Sequence, residues 1–392
     1  MRFEQIMSNE VLDIRDGTHE SPKYKDIGYP LITSKNLKHG RIDFSDVNFI
    51  SEEDYISINK RSKVNKGDVL YSMIGSIGNY AFVDNEPNYA IKNVALFRFI
   101  DKRLHNKFFL HLINSSIFQR QIEQRMKGGT QKFVSLKILR NLKIPLPPLE
   151  EQKKIAAILD AADEYRKKTK ALIDKYDQLT QSLFLDIFGD PFKGEVSPLK
   201  NNITVLGGYA FKSKDFIQVG LPLIKIGTVN KGYFEIDNFS FLPESYLSNY
   251  SKWNVRPGDI LMSLTGTVGK DDYGNVEKAT DHYENYLLNQ RVAKLEPSNG
   301  IYLKEFLFGM FRNNKTKKEL TKISRGVRQA NISNRDIENL EMITPCIEDQ
   351  KLYVSAVSEI EKQKQQAEAS LVKAEELFNS LLQKAFKGEL TN

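Results

Sequence analysis

The chain carries five histidines, His19, His39, His105, His111 and His282, and one cysteine, Cys346. No two of the histidines stand at a zinc spacing with a second acid or thiolate, and one cysteine cannot complete a tetrahedral set, so no metal motif is written here. Gly75-x-x-Gly78 and Gly266-x-x-Gly269 lack the lysine and serine of a phosphate loop, and no Gly-x-Gly-x-x-Gly opens a helix. Gly207-Gly208 reads as a turn. Carboxylates are scattered, and nothing marks a nuclease pair among them. What remains is recognition chemistry. Lys35, Asn36, Lys38 and Arg41 follow one apolar run, and Lys225, Thr228, Asn230 and Lys231 follow another; Lys127, Thr130, Gln131 and Lys132, and then Arg325, Arg328, Gln329, Asn331 and Arg335, flank two glycine bends. Lysine and arginine reach phosphates or the O6/N7 edge of guanine, and asparagine or glutamine the N6/N7 edge of adenine. The competing reading is that each such residue only solvates a loop.

These groups recur because the chain repeats. Tyr29-Pro30-Leu31-Ile32 returns as Leu221-Pro222-Leu223-Ile224, and Gly67-Asp68-Val69-Leu70 as Gly258-Asp259-Ile260-Leu261. Leu149-Glu150-Glu151-Gln152 returns as Ile347-Glu348-Asp349-Gln350. The offset grows from 192 (Pro222 minus Pro30) to 198 (Gln350 minus Gln152), so the copies differ by small loop insertions. Gly67-Asp68 and Gly258-Asp259 read as turn chemistry. Val69–Tyr71, Tyr80–Val83 and Val94–Phe99 are strand candidates, and a helix is expected from Phe108 to about Met126.

Each copy ends in a long helical pattern. Pro145, Pro147 and Pro148 fix φ and remove donors, so the first helix begins at about Leu149 and runs to Phe188, roughly 58 Å at 1.5 Å per residue. Its stripe is Ile155, Leu159, Ala162, Thr169, Leu172, Tyr176, Leu179 and Leu183; that of the second helix is Val357, Ile360, Ala367, Leu371, Ala374, Phe378 and Leu381. Because the first helix runs straight into the second module, two helices that pack together must be antiparallel. The expected class is α+β: residues 1–148 and 189–345 form two similar β-rich modules, and 149–188 and 346–392 form an antiparallel coiled coil with pseudo-two-fold symmetry.

Composition bounds the rest. At 392 residues, 40% hydrophobic and 27% charged, the chain is ordinary globular material, and disorder does not fit. A net charge of +7 favours an anionic partner. No run approaches a membrane span, no signal peptide is present in the first thirty residues, and the lone cysteine suits a reducing compartment, so a cytoplasmic protein is expected. Two related but non-identical modules suit a duplex DNA target split into two different halves.

Pro145-Leu-Pro-Pro-Leu-Glu-Glu-Gln-Lys-Lys-Ile155 before a long helix, its partial repeat at Thr344–Gln350, the two Gly-Asp turns and the duplicated layout resemble the specificity subunit of Type I restriction-modification systems. The second junction departs from the pattern, keeping one proline where the first has a pair. The resemblance implies that each module is a target recognition domain reading one half of a bipartite asymmetric site, and that the helices fix the unread spacer. It implies no catalysis and no cofactor in this chain. S-adenosylmethionine, ATP and Mg would belong to the partners, two modification (methyltransferase) subunits and restriction (translocase and nuclease) subunits, docked on the outward faces of the helices. Two other readings compete: a stand-alone endonuclease or methyltransferase with duplicated DNA-binding domains, and a coiled-coil adaptor that binds no DNA. The first lacks an Asn/Asp-Pro-Pro-aromatic motif, since Leu146-Pro147-Pro148-Leu149 has neither the polar lead nor the ring.

Overall fold

The computed structural model describes residues 3–126, 133–270, 272–324, 326 and 329–391. The chain forms two compact units, Met1–Lys170 with Ala369–Asn392, and Ala171–Glu368. Each unit therefore holds one β-rich module, the N-terminal half of the helix that follows it and the C-terminal half of the other helix.

In the first unit the three expected strands appear as Val69–Ser72, Tyr80–Phe82 and Val94–Phe99. With Leu12–Asp16 they make an antiparallel sheet in which Val94–Phe99 lies between Leu12–Asp16 and Val69–Ser72. All four residues of Val69–Ser72 are buried, as a central strand covered on both faces requires. A second sheet pairs Tyr29–Ile32 antiparallel with Asn48–Ile50 and parallel with Ala90–Ile91. The helix expected over 108–126 is two, Asn106–Asn114 and Ser116–Arg125. Ser115 breaks it: its hydroxyl donates to the Leu112 carbonyl at 2.6 Å and accepts the Phe118 N–H at 3.3 Å, capping the second helix.

The second unit repeats this order. Val292–Pro297 lies between Ile203–Gly207 and Ile260–Ser263, Val276–Lys278 flanks the latter, and Leu221–Ile224 pairs with Ser240–Leu242 and, in parallel, with Tyr286–Leu288. The insertions can be placed. Ser72 and Tyr80 are eight residues apart, Ser263 and Val276 thirteen, and the extra chain forms a strand, Thr265–Thr267, paired with Gln329–Asn331.

The long helices run Leu149–Phe188 and Ile347–Lys387. In the first unit the N-terminal half of one lies antiparallel to the C-terminal half of the other: the Tyr165 and Ser370 hydroxyls are 2.9 Å apart and the Arg166 guanidinium covers the Phe378 ring at 4.6 Å. In the second unit Lys364 meets Asp177 at 2.6 Å. The helix ends enter the cores. Phe386 packs on Phe108 at 5.2 Å in the first unit, and the equivalent Phe188 packs on Phe306 at 4.9 Å in the second. Burial of a phenylalanine contributes about 2–3 kcal/mol, so these rings fasten each half-helix to its unit.

The seam differs in part from the expected stripe. Ile155, Leu159, Ala367 and Phe378 are buried, and Ala162, Tyr176, Leu183, Val357, Ile360, Leu371 and Leu381 are half-buried. Leu172 and Leu179 face solvent, 43% and 49% exposed. Thr169 and Ala374 are buried as the stripe expects, and Ile173 and Thr180 are the more covered neighbours of the two leucines. The two threonines donate their hydroxyls to the carbonyls four residues back, Tyr165 at 2.9 Å and Tyr176 at 3.1 Å, so neither hydroxyl enters the seam unbonded.

Candidate nucleic-acid interface

The junction between each module and its helix is built around one buried amide. Gln152 is fully buried; its Oε1 accepts the His105 N–H at 2.8 Å, and its Nε2 donates to the Arg103 and Pro147 carbonyls at 2.7 and 2.8 Å. Gln350 does the same with Leu303 N–H at 2.8 Å and the Ile301 and Pro345 carbonyls at 2.8 and 2.9 Å. Every partner is displaced by 198 residues, so the loss of a proline in the second junction leaves this bond set intact.

Asp68 and Asp259 close turns, and each also holds a cation. Asp68 accepts the Asn65 N–H at 2.7 Å and pairs with Arg98 at 2.8 Å. Asp259 accepts the Arg256 N–H at 3.0 Å and pairs with Lys304 at 2.9 Å. Burial pushes the Asp259 carboxyl up, but the Arg256 amide, Lys304 and Lys294 together hold it below the usual range. Gly208 is a close approach, not only a turn: a Cβ there would lie 2.0 Å from the Asn289 carbonyl oxygen, and at its counterpart Gly17 2.1 Å from that of Ile91.

Several candidate contact residues are engaged by their own loops. Asn36 is 2% exposed; it accepts from Thr33 and donates to the Asp43 and Asp46 carbonyls, so it shapes the loop. Lys35 pairs with Asp46 at 2.9 Å and Lys38 with Asp43 at 2.7 Å. The Lys38 bond, then Ser45, draws the Asp43 carboxyl well below the ordinary range. Arg41 stands exposed beside Lys38 on a hairpin turned by His39 and Gly40, both at positive φ. In the second module Lys225 donates to Ser240 at 2.6 Å and lies 5.3 Å from the centre of the Phe216 ring. Thr228 is buried under the Lys225 amide, Asn230 gives its carbonyl to Asn275, and Lys231 pairs with Glu235.

The later candidates divide. Lys127, Thr130, Gln131, Lys132, Arg325 and Arg328 lie outside the described residues. Gln329 and Asn331 project from the two-stranded ribbon: Ala330 between them is buried, so strand alternation points both outward. Arg335 is exposed on the short helix Asn334–Glu338 that follows. The ribbon is pinned at both ends. Asp272 accepts from the Thr267 N–H at 2.8 Å and hydroxyl at 3.0 Å, and Leu264 donates to the Arg291 carbonyl at 2.8 Å and accepts from Ile332 at 2.8 Å. In the first module the matching pair is the Ile74–Phe133 bridge, with Val134 N–H to the Met73 carbonyl at 2.9 Å.

At the same end of the first sheet lies a polar cluster that sequence reading did not single out. His19 is 2.8 Å from both Asn93 and Asp16, and Arg61 also pairs with Asp16. The Asn93 bond, then Asp16, raises the His19 pKa. The second module places rings there: Tyr209 packs on Trp253 at 4.8 Å and on Tyr250 at 4.9 Å. The two modules thus share a frame and differ in the chemistry that they present from it. Among the described residues no group of three or more His, Cys, Asp or Glu could hold a metal ion, and no helix is long and apolar enough to cross a membrane.

The model of the Type I restriction modification DNA specificity domain matches residues 4–175 and again 193–373. The chain belongs to this family. Its two specificity-domain copies coincide with the internal repeat. The chain is 28% identical over 382 residues to the MjaVIII specificity subunit of Methanocaldococcus jannaschii, covering 90% of this chain and 85% of that one. It is 23% identical over 398 residues to the EcoKI specificity subunit of Escherichia coli K12, covering 94% and 83%. Its fold is similar to a chain in a structure addressing complex assembly and conformational transition of the type I R-M system, with a TM-score of 0.61 at 19% identity over 99% of this chain and 98% of that one. It is also similar to the S subunit of a Type I system from M. genitalium, with a TM-score of 0.52 at 18% identity over 98% and 96%.

Proposed function

We propose that this chain is the non-catalytic DNA-specificity subunit of a Type I restriction-modification system, reading a bipartite asymmetric site with one half per module. The observation that carries the reading is the doubled specificity domain, two copies of one frame presenting different side chains at equivalent places. Two equal frames suit two segments of one duplex, and unequal side chains suit two different sequences. The chain holds no cofactor of its own in this reading. S-adenosylmethionine, ATP and Mg serve the two modification subunits and the restriction subunits that assemble on it in the cytoplasm. The outward row of the first helix, where Ile158, Tyr165, Leu172 and Leu179 recur every seven residues with 38–52% exposure, supports a docking role for the helix faces.

The test is to express the chain with its modification subunits in a host free of other adenine methylation and to sequence the native DNA. The expected result is methylation confined to a two-part asymmetric motif, absent when this chain is omitted. Methylation without the chain, or no split motif with it, overturns the proposal. Methylation or cleavage by the purified chain alone would favour the stand-alone enzyme.

A further inference from the structure

The turn that leads into the central strand of each module contains a non-glycine residue at positive φ immediately before the first valine: Asn93 (φ 54°) before Val94, and Arg291 (φ 74°) before Val292. The flanking bonds align the turns. Lys92 N–H to the Ile32 carbonyl corresponds to Asn289 N–H to that of Ile224, and Gly17 N–H to the Val94 carbonyl corresponds to Gly208 N–H to that of Val292. One residue lies between these anchors in the first module and two, Gln290 and Arg291, in the second. The second turn has therefore grown by one residue, and both of its residues are exposed.

Asparagine enters the left-handed region readily, arginine much less so. Glycine or asparagine would make this turn at lower conformational cost, so backbone geometry does not account for an arginine. Packing does not account for it either: the Arg291 side chain is exposed, and among the described residues it has no hydrogen bond or ion pair. Its main chain, by contrast, is fixed, since the carbonyl accepts the Leu264 N–H at 2.8 Å at the root of the Thr265–Thr267/Gln329–Asn331 ribbon. The result is an unpaired guanidinium on a rigid turn beside a ribbon that points Gln329 and Asn331 outward. At the corresponding turn of the first module the Asn93 side-chain amide oxygen is already bonded to His19 at 2.8 Å.

The geometry points to the Gln290–Arg291 turn as a base-reading tip of the second module, with Arg291 paired to guanine O6 and N7 in the major groove. This rests on the DNA-reading function proposed above and assigns one residue within it. Guanine is the base that presents two acceptors to the fork of an arginine. A bidentate pair of this kind discriminates by 1–3 kcal/mol, which corresponds to roughly 5- to 150-fold between bases.

The test maps methylation on native DNA for the chain assembled with its modification subunits, comparing wild type with Arg291→Ala and Arg291→Asn. The expected result is that both variants lose discrimination at a single G·C position of one half-site, within that fold range, while the other half-site keeps its sequence. Asparagine favours the left-handed turn, so Arg291→Asn should melt at or above the wild-type temperature; a merely structural arginine would instead lower it. An unchanged motif, an even weakening at every position as for a phosphate contact, or half-sites without any G·C pair would each overturn the assignment. A wild-type complex that methylates no bipartite motif would refute the DNA-reading function itself, a distinct result.

Discussion

Gln152 accepts the His105 N–H at 2.8 Å from a fully buried side chain, and with its two carbonyl contacts it uses both ends of the amide to hold the helix start against the module. Replacement by leucine would leave a buried N–H and two carbonyls without a partner. The expected loss is on the order of 2–3 kcal/mol, read from urea denaturation. Gln350→Leu should lose a similar amount, because its three bonds are the same. A midpoint unchanged by either substitution would contradict the clamp.

Gly309 lies against Tyr353, where a Cβ would come within 2.3 Å of the phenol oxygen. At the same positions the first copy has His111 and Ile155, a larger residue facing a smaller one. Gly309→Ala is expected to destabilise by about 1–3 kcal/mol through overpacking. Adding Tyr353→Leu should recover part of that loss, giving a coupling well above experimental error in a double-mutant cycle. Strict additivity of the two changes would show that they do not compete for the same space.

Glu277 is buried, and burial, only partly offset by Arg312 and Lys364, raises its pKa above 4.5. A carboxyl with a raised folded pKa binds its proton more tightly in the folded state. Its contribution is therefore present below the unfolded pKa and is lost as pH rises through the folded value. Glu277→Gln should accordingly stabilise the protein at pH 7 and have little effect near pH 4, as thermal melts at the two values would show. A variant less stable than wild type at pH 7 would place the Arg312 contact above burial in importance.

Leu172 and Leu179 point to solvent and Ala374 into the seam, 3% exposed. Leu172→Glu and Leu179→Glu should leave the unfolding free energy of the isolated chain almost unchanged, within about 0.5 kcal/mol, yet weaken co-purification with a modification subunit. Ala374→Glu buries an unpaired charge and should cost several kcal/mol. Normal assembly by the two leucine variants would remove the docking role from this row.

Architecture was legible because a repeat aligns a sequence with itself: the Gly-Asp turns, the proline entrance and the glutamine at the helix start each occur twice, and each copy validated the other. The seam was less so. Period placed Thr169 in it but also Leu172 and Leu179, and the bonds of Thr169 and Thr180 to carbonyls four residues back show how polar residues occupy the inner side. The interface was least legible. Lys35, Asn36, Lys38 and Lys225 have the right chemistry for DNA, but side-chain type does not reveal that Asp46, Asp43 and Ser240 already hold three of them, or that Asn36 is buried within its loop. Arg291 was not singled out in the sequence; the one-residue growth of the repeat at its turn is the signal that could have found it.

The first unit is assembled from two stretches far apart in sequence, Met1–Lys170 and Ala369–Asn392. During synthesis its core therefore has to wait: Phe108 emerges well before Phe378, Leu382, Ala385 and Phe386, which complete the same cluster. A chain cut short in the final helix would leave that apolar surface open to chaperones and proteases. A closed first unit thus requires that both stretches be present in one chain.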